Sequence, residues 1–303
     1  MTDSQDQPPA LEQWVGRTQT VVDIISPVQV RQMAAMMNDA ARVNNPALSL
    51  LPAGWHWLYF NPLEVQSKLG EDGHPERGNF LPPVELPRRM WAGSRLDWTR
   101  AFSVGTEVSK KSEIIKVFRK SGRSGEMVFV TLAHVYSDAE GTLLREEHDI
   151  VYRDNQSATE KAALAEVAGR VAKWQAVAPV FERTGQHTKV VMTDAVMLYR
   201  YSAATFNGHR IHYDVDYCRD VEGYPGLVVH GPLIATLLLG HVENDIALGR
   251  HIRAFEFRAN RPTFDLGGFH LHASSKDVDA STLQVWATNN VGEVGIDGII
   301  TLA

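Results

Sequence analysis

Met127-Val-Phe-Val-Thr-Leu-Ala-His-Val-Tyr-Ser137, Asp138-Ala-Glu-Gly141 and Leu143-Leu-Arg-Glu-Glu-His-Asp-Ile-Val-Tyr152 form the stretch that decides the fold class. Two runs rich in β-branched and aromatic residues flank a short polar turn ending in glycine, which is the pattern of a β-hairpin. Upstream, Met90 to Ser103 and Ser109 to Arg119 carry the same enrichment, and Ser121-Gly-Arg-Ser-Gly125 is a second turn. Connectors this short exclude parallel crossovers, so the segment from Leu86 to Arg153 predicts an antiparallel sheet.

Ahead of this sheet, residues 1 to 13 are polar and proline-containing and predict a loose lead-in, with structure beginning near Trp14. Thr18 to Ile25 reads as a strand, and Ser26-Pro27 supplies an N-cap with proline at the first helical position. Val30, Met33, Ala34 and Met37 then recur at helical spacing, and Asn44-Asn45-Pro46 is a turn. Beyond the sheet, residues 154 to 187 are polar, alanine-rich and partly helical, and read as a linker. The order of elements then repeats: a strand from Val190 to Ala203, a turn-rich insert from Asn207 to Pro225, a helix from Pro232 to about Ile246, and strands from His251 onward. Arg100-Ala-Phe-Ser-Val-Gly105 overlays Pro262-Thr-Phe-Asp-Leu-Gly267, each where one long strand would turn into the next. The expectation is an α+β chain of two copies of one unit, each a helix wrapped by an antiparallel sheet, at 14–153 and 188–303. A length of 303 residues agrees with two domains of about 150.

Composition narrows the function classes. With 30 basic against 36 acidic residues and a net charge of -6, no overall basic excess points to nucleic acid. The longest aliphatic run, Leu233 to Leu239, is far short of the roughly 20 residues of a membrane-spanning helix. The N-terminus lacks a basic and an apolar region, so no secretory signal is expected. Cys218 is the single cysteine and can form neither an internal disulfide nor a zinc knuckle, which fits a reducing cytoplasm.

The densest reactive cluster is Ser202-Ala-Ala-Thr-Phe206-Asn207-Gly208-His209-Arg210-Ile211-His212-Tyr213-Asp214, in the insert ahead of the second helix. Histidine both takes and gives a proton near neutrality, so His209 and His212 are acid/base candidates. Two histidines three apart also suit a metal, although only Asp214 and Asp216 lie close enough in sequence to extend the ligand set. The alternative is that one ring satisfies buried backbone groups and the other is solvated, a reading that suits His209 more than His212. Further on, Tyr224-Pro225-Gly226-Leu227-Val228-Val229-His230-Gly231-Pro232-Leu233 opens an apolar helix. The unpaired N–H groups of a helix start can hold negative charge, and Gly231 lets a ligand oxygen approach the backbone; the same glycine also suits a plain strand-to-helix turn.

Phe206-Asn-Gly-His-Arg-Ile-His212-Tyr-Asp followed by Pro225-Gly-Leu-Val-Val-His-Gly-Pro-Leu233 resembles the hydratase motif of the MaoC-like, R-specific enoyl-CoA hydratase and dehydratase family. It is most similar to the subgroup of type 2 hydroxyacyl-thioester dehydratases and of mesaconyl-C4-CoA and itaconyl-CoA hydratases, and Leu86-Pro-Arg-Arg-Met-Trp-Ala-Gly93 resembles a characteristic segment of that subgroup. The resemblance implies a double hot dog fold with the functional motif in the second copy. It places the family's catalytic histidine on His212, its partner on Asn207, and the N–H that polarises the thioester carbonyl on Gly231. Asn207 departs from the aspartate usual in the wider family, and an amide can orient a water but cannot accept its proton.

Ten basic against three acidic residues lie between Pro87 and Arg123. They read either as solvated strand faces or as a patch for the phosphates of CoA or an acidic carrier protein. Arg88 and Arg89 beside Trp91 are candidates for a substrate carboxylate or phosphate, because arginine pairs with either in bidentate geometry. Tyr213 and His230, inside the motifs, complete the expected substrate-binding set. Trp55-His56-Trp57-Leu58-Tyr59-Phe60 corresponds to the start of a first central helix and reads as acyl-pocket wall or as core. No nucleotide fingerprint or P-loop is apparent, so the expectation is a lyase without nicotinamide, flavin or metal, with CoA only as part of the substrate. A carrier-protein dehydratase, a thioesterase and a non-catalytic acyl-CoA-binding protein are the alternatives, and a homo-oligomer is left open.

Overall fold

The structure, a computed structural model, describes residues 11–45, 49–122, 125–167, 169–171, 180–276 and 281–303. Most of the expected lead-in, Pro46 of the first turn, Arg123 and Ser124 of the second turn, and positions 168 and 172–179 of the expected linker lie outside the described residues.

The first half contributes β1 (Thr18–Ile24), β2 (Arg88–Trp98), β3 (Glu107–Gly122), β4 (Gly125–Asp138) and β5 (Gly141–Arg153). The second contributes β6 (His187–Met192), β7 (Ile252–Ala259), β8 (Gly268–Ser275), β9 (Thr282–Thr288) and β10 (Val294–Leu302). The hairpins fall as the turn residues require, closing on Gly122 opposite Gly125 and on Asp138 opposite Gly141.

The expected pair of sheets is a single one. All ten strands form one antiparallel sheet in the order β1-β3-β4-β5-β2-β7-β10-β9-β8-β6. The seam is β2 against β7, with Gly93 opposite Arg258 and Asp97 opposite Ala254. Within its own half each of these strands pairs on one side only, and an unpaired edge of N–H and C=O groups is a template for another strand. Read inward from either outer edge, both halves run first, third, fourth, fifth, second strand. The two six-residue stretches that overlay in sequence behave alike. Phe102 and Phe264 are each 2% exposed, and Gly105 and Gly267 carry φ of +90° and +105°, a region that favours glycine.

The helices correct two expectations. The segment expected as a strand from Val190 to Ala203 is β6 followed by a helix, Ala195–Ala204, whose N-cap Asp194 accepts a hydrogen bond from Met197 N at 2.8 Å. The same arrangement follows β1, where Ser26 caps the helix Pro27–Met36, and the two short helices touch. The second correction is that only one long central helix is present among the described residues, Gly231–Asp245. It packs against β7, β8, β9 and β10 and buries Leu233, Ile234, Ala235, Leu238, Leu239 and Val242. In the first half Trp55–Leu58 makes a single 3-10 turn. Pro52 precedes that turn, and Pro62, Pro75, Pro82, Pro83 and Pro87 follow, so no helix can propagate there. In the segment expected as a linker, Ser157 and Glu160 form a reciprocal capping box on the helix Ala158–Ala165. No described helix is long and apolar enough to cross a membrane.

Candidate functional site

The start of the central helix, the turn that precedes it in sequence, and the irregular chain of the first half meet around a cavity of about 620 Å³. Trp57, His74, Arg89, Trp91 and His148 line it from the first half, and Tyr201, Ser202, Asn207, Tyr213 and Pro232 from the second. Of the expected site residues, Asn207, Tyr213, Arg89 and Trp91 therefore face the cavity. His212, Gly231, His230 and Arg88 are not among its lining residues, although Tyr213 beside His212, Pro232 beside Gly231, and Ser202, the hydrogen-bond partner of His230, are.

His212 ends the turn Arg210–His212, which the Arg210–Asp214 ion pair at 2.8 Å braces. Its Nδ1 donates to Val228 O at 2.7 Å, so the lone pair sits on Nε2. The ring is 7% exposed, and burial pushes its pKa down to about 4, with a smaller upward effect from the Val228 hydrogen bond. It is therefore a neutral acceptor at physiological pH. Its face lies on His230, ring centroids 3.6 Å apart. His230 is fully buried and its Nε2 shares a hydrogen bond of 2.8 Å with Ser202 Oγ. Burial, then the neighbouring His212 and His209, hold His230 well below the usual imidazole range.

Asn207 directs its amide differently from a carboxylate. Its Oδ1 accepts from His209 N at 3.0 Å, which leaves the NH₂ end to donate into the cavity. Gly231 opens the central helix, no side chain caps that end, and Pro232 has no N–H. The nearest atom to a Cβ placed on Gly231 would be Trp91 Cε3 at 3.5 Å, an ordinary contact.

Arg88 and Arg89 divide. Successive strand residues face opposite sides of a sheet. Arg88 is 8% exposed, pairs with Glu222 at 3.2 Å and donates to Tyr224 OH. Arg89 lines the cavity and makes no ion pair among the described residues. The rest of the basic stretch divides likewise. Arg95 pairs with Glu147 and Asp149, and Arg100 with Asp138 and Glu140, while Lys111, Lys116, Arg119 and Lys120 are exposed on β3.

Three features escaped the sequence reading. Glu146, 2% exposed, accepts from Trp57 Nε1 and Ser94 Oγ at 3.2 Å on one oxygen, and from His56 Nε2 at 3.2 Å and Tyr136 OH at 3.0 Å on the other. Trp91 Nε1 donates in turn to Ser94 Oγ at 3.0 Å, so one carboxylate braces both tryptophans of the cavity wall. Burial alone would raise Glu146, but the His56 hydrogen bond and the surrounding histidines hold it below the usual carboxylate range. The second feature is His148, whose pKa burial lowers to about 4 and whose ring packs on Trp91 with centroids 5.2 Å apart. Asp72, His74 and His209 are the third. Their donor atoms lie within 4.8 Å of one another, the one metal-like grouping among the described residues. Two of those atoms, His74 Nδ1 and Asp72 Oδ2, already share a hydrogen bond of 2.9 Å.

A basic nitrogen, amide donors and an uncapped helix start beside a mostly apolar cavity suit addition or removal of water next to a thioester carbonyl. The family model for hydroxyacyl-thioester dehydratase type 2 matches residues 54–265. A mesaconyl-C(4)-CoA hydratase of Chloroflexus aurantiacus is 40% identical over 86% of this chain and 87% of its own length. A mitochondrial hydroxyacyl-thioester dehydratase type 2 of Schizosaccharomyces pombe is 22% identical over 80% of this chain and 85% of its own. Among solved structures, a MaoC-like dehydratase superposes with a TM-score of 0.66 at 16% identity, covering 97% of this chain and 99% of the other. Another, from Phytophthora capsici, gives 0.67 at 11% identity over 95% of each chain. The chain belongs to the hydroxyacyl-thioester dehydratase type 2 family, has the fold of MaoC-like dehydratases, and is a hydro-lyase interconverting enoyl and hydroxyacyl thioesters.

Proposed function

We propose that the substrate is a short dicarboxylic enoyl-CoA of the mesaconyl-C4 or itaconyl kind. The observation that carries this reading is Arg89, a cation on the cavity wall paired with no carboxylate among the described residues. A cation facing a largely apolar cavity favours a substrate that brings its own anion, and arginine suits a carboxylate in particular. The Chloroflexus relative, named as a hydratase of such a thioester, supports the same reading.

In this mechanism His212 Nε2 takes a proton from water as the oxygen bonds to the β-carbon, and the double-bond electrons move toward the thioester oxygen. The Asn207 NH₂ donates to the water oxygen and holds it. Gly231 N–H, at the positive end of the central helix, receives the developing enolate oxygen, and the enolate collapses as the proton taken from water is returned to the α-carbon. Dehydration is the reverse. The second half thus supplies the reacting groups, and the first supplies the tryptophan walls and the anion grip.

The test is incubation with crotonyl-CoA, mesaconyl-C4-CoA, itaconyl-CoA and a 3-hydroxyacyl carrier protein. Loss of enoyl absorbance, faster with the dicarboxylates than with crotonyl-CoA, is expected. Preference for the carrier-protein substrate would overturn the substrate assignment, and release of free CoA would indicate hydrolysis. His212→Ala should lower kcat by about 10²–10⁴-fold with the fold intact. Near-normal turnover in that variant would sink the role given to His212.

A further inference from the structure

Asn207 leaves a gap in the chemistry. Hydration takes a proton from water and delivers one to the α-carbon; a single base can do both only if it reaches both atoms, and an amide does neither at neutral pH. A carboxylate and a second histidine stand close by, on a loop from the first half.

That loop is built against the His212 turn. Arg210 N donates to Asp72 O at 3.0 Å, and Arg210 Nη1 donates to Glu71 O at 3.2 Å. Gly73, at φ +84°, lies so close to Gly208 that a Cβ would collide with the Gly208 carbonyl. Within the loop Asp72 grips His74 twice. Its Oδ1 accepts from His74 N at 2.9 Å, and its Oδ2 accepts from His74 Nδ1 at 2.9 Å. A carboxylate on Nδ1 fixes the tautomer, leaves Nε2 as the acceptor, and stabilises the imidazolium once a proton arrives. His74 lines the cavity. Its ring centroid is 4.1 Å from that of His209, which is 5.5 Å from that of His212.

We propose that His74, oriented by Asp72, is a second proton-transferring residue of this site, linked to His212 through His209. The inference rests on the hydration reading above. In the hydration direction all three rings start neutral. His212 takes the proton that water loses as the new C–O bond forms, and the C=C electron pair passes into the enolate. The proton moves through His209 to His74, where the Asp72 carboxylate balances the charge. His74 Nε2–H then protonates the α-carbon as the enolate pair forms the new C–H bond, and all three rings are neutral again. Dehydration runs the same proton backward, from the α-carbon to the departing hydroxyl. Asp72 is a positioning residue in this scheme.

The test measures kcat and KM separately on whichever enoyl-CoA the wild-type protein hydrates fastest, with thermal melting as the check on folding. His74→Gln should lower kcat at least a hundredfold with KM within threefold of wild type. Asp72→Asn, which keeps the loop's shape, should lower kcat about tenfold and stands in should His74→Gln not fold. His209→Phe keeps a ring but no nitrogen, and should fall alongside His74→Gln. Overturning results are a His74→Gln kcat within threefold of wild type, a loss confined to KM, or full turnover in His209→Phe. Activity abolished by EDTA and restored by Zn²⁺ would also overturn the scheme, making Asp72, His74 and His209 ligands instead. Normal activity in His212→Ala, or no hydration of any enoyl-CoA by the wild-type protein, defeats the underlying reading. A normal His74→Gln with an inactive His212→Ala defeats only this one.

Discussion

The rings of His212 and His230 stack with centroids 3.6 Å apart and planes 17° from parallel. One is on the turn after Asn207 and the other is the N-cap of the central helix, so the stack ties the acid/base candidate to the helix start that would hold the enolate. Two rings this close resist carrying charge together, because like charges repel strongly where water is excluded.

His230→Phe keeps the stacking surface but loses the hydrogen bond to Ser202, and kcat should fall less than about tenfold. His230→Ala removes the support of the His212 ring and should cost about 10- to 100-fold in kcat, since small displacements of a reacting group are expensive. Steady-state kinetics on both variants check this. Equal effects would show that the stack does not position His212.

Arg88 and Arg89 should separate stability from binding although they are adjacent. Arg88→Ala strands the carboxylate of Glu222, and breaking a buried ion pair from one side costs about 3–5 kcal/mol. Its melting temperature should drop by several degrees or more with little change in KM for the molecules still folded. Arg89→Ala should melt near wild type but raise KM for a dicarboxylic enoyl-CoA about tenfold or more, while leaving crotonyl-CoA nearly unaffected. A KM rise of the same size for both substrates would place Arg89 on the CoA phosphates and not on the acyl carboxylate.

Much of the sheet was legible because strand periodicity and turn chemistry are local. β3, β4 and β5 fall within two or three residues of their expected positions. The helix Ala195–Ala204 was not, because Val190, Val191, Tyr199 and Tyr201 raise strand propensity on both sides of Asp194, and the cap at Asp194 was the signal overlooked. That Asn207 and Tyr213 face the cavity follows a local pattern, since both lie within one insert. Asp72 and His74 were not legible, since 135 residues separate His74 from His209 and no periodicity links a loop to a distant turn. Glu146 did leave a trace: strand alternation puts it on the face of Leu144 and Ile150, where an acidic residue needs partners to stay buried.

Acid should unfold this protein through its histidines. The pKa values of His148, His212 and His272 lie near 4 in the folded protein, chiefly through burial, against about 6.5 for a free imidazole. Between those values the unfolded chain binds protons that the folded chain refuses. Stability therefore holds above about pH 6.5 and falls as pH drops toward 4, by up to about 1.4 kcal/mol per pH unit for each such ring. The urea midpoint should be markedly lower at pH 5 than at pH 7. An unchanged midpoint would mean that these rings are protonated in the folded state.

Glu146 is where stability and the site are joined most tightly. Glu146→Leu leaves four donors, from His56, Trp57, Ser94 and Tyr136, without their acceptor in a region excluded from water. Each stranded donor costs about 1–3 kcal/mol, with partial relief as side chains rotate, so a loss of about 3–5 kcal/mol is expected. Glu146→Gln keeps one acceptor oxygen and should lose less, but a neutral amide oxygen is a weaker acceptor than the carboxylate, so the hold on Trp57 and on the Ser94–Trp91 chain weakens together, because both converge on one oxygen. Folded Glu146→Gln should accordingly show a raised KM with a smaller change in kcat, since the tryptophans form the wall and His212 is held separately by Val228 and His230. Urea unfolding and steady-state kinetics on the same preparations check both halves. A Glu146→Gln variant that loses kcat but not KM would place the carboxylate in the proton path and not in the wall.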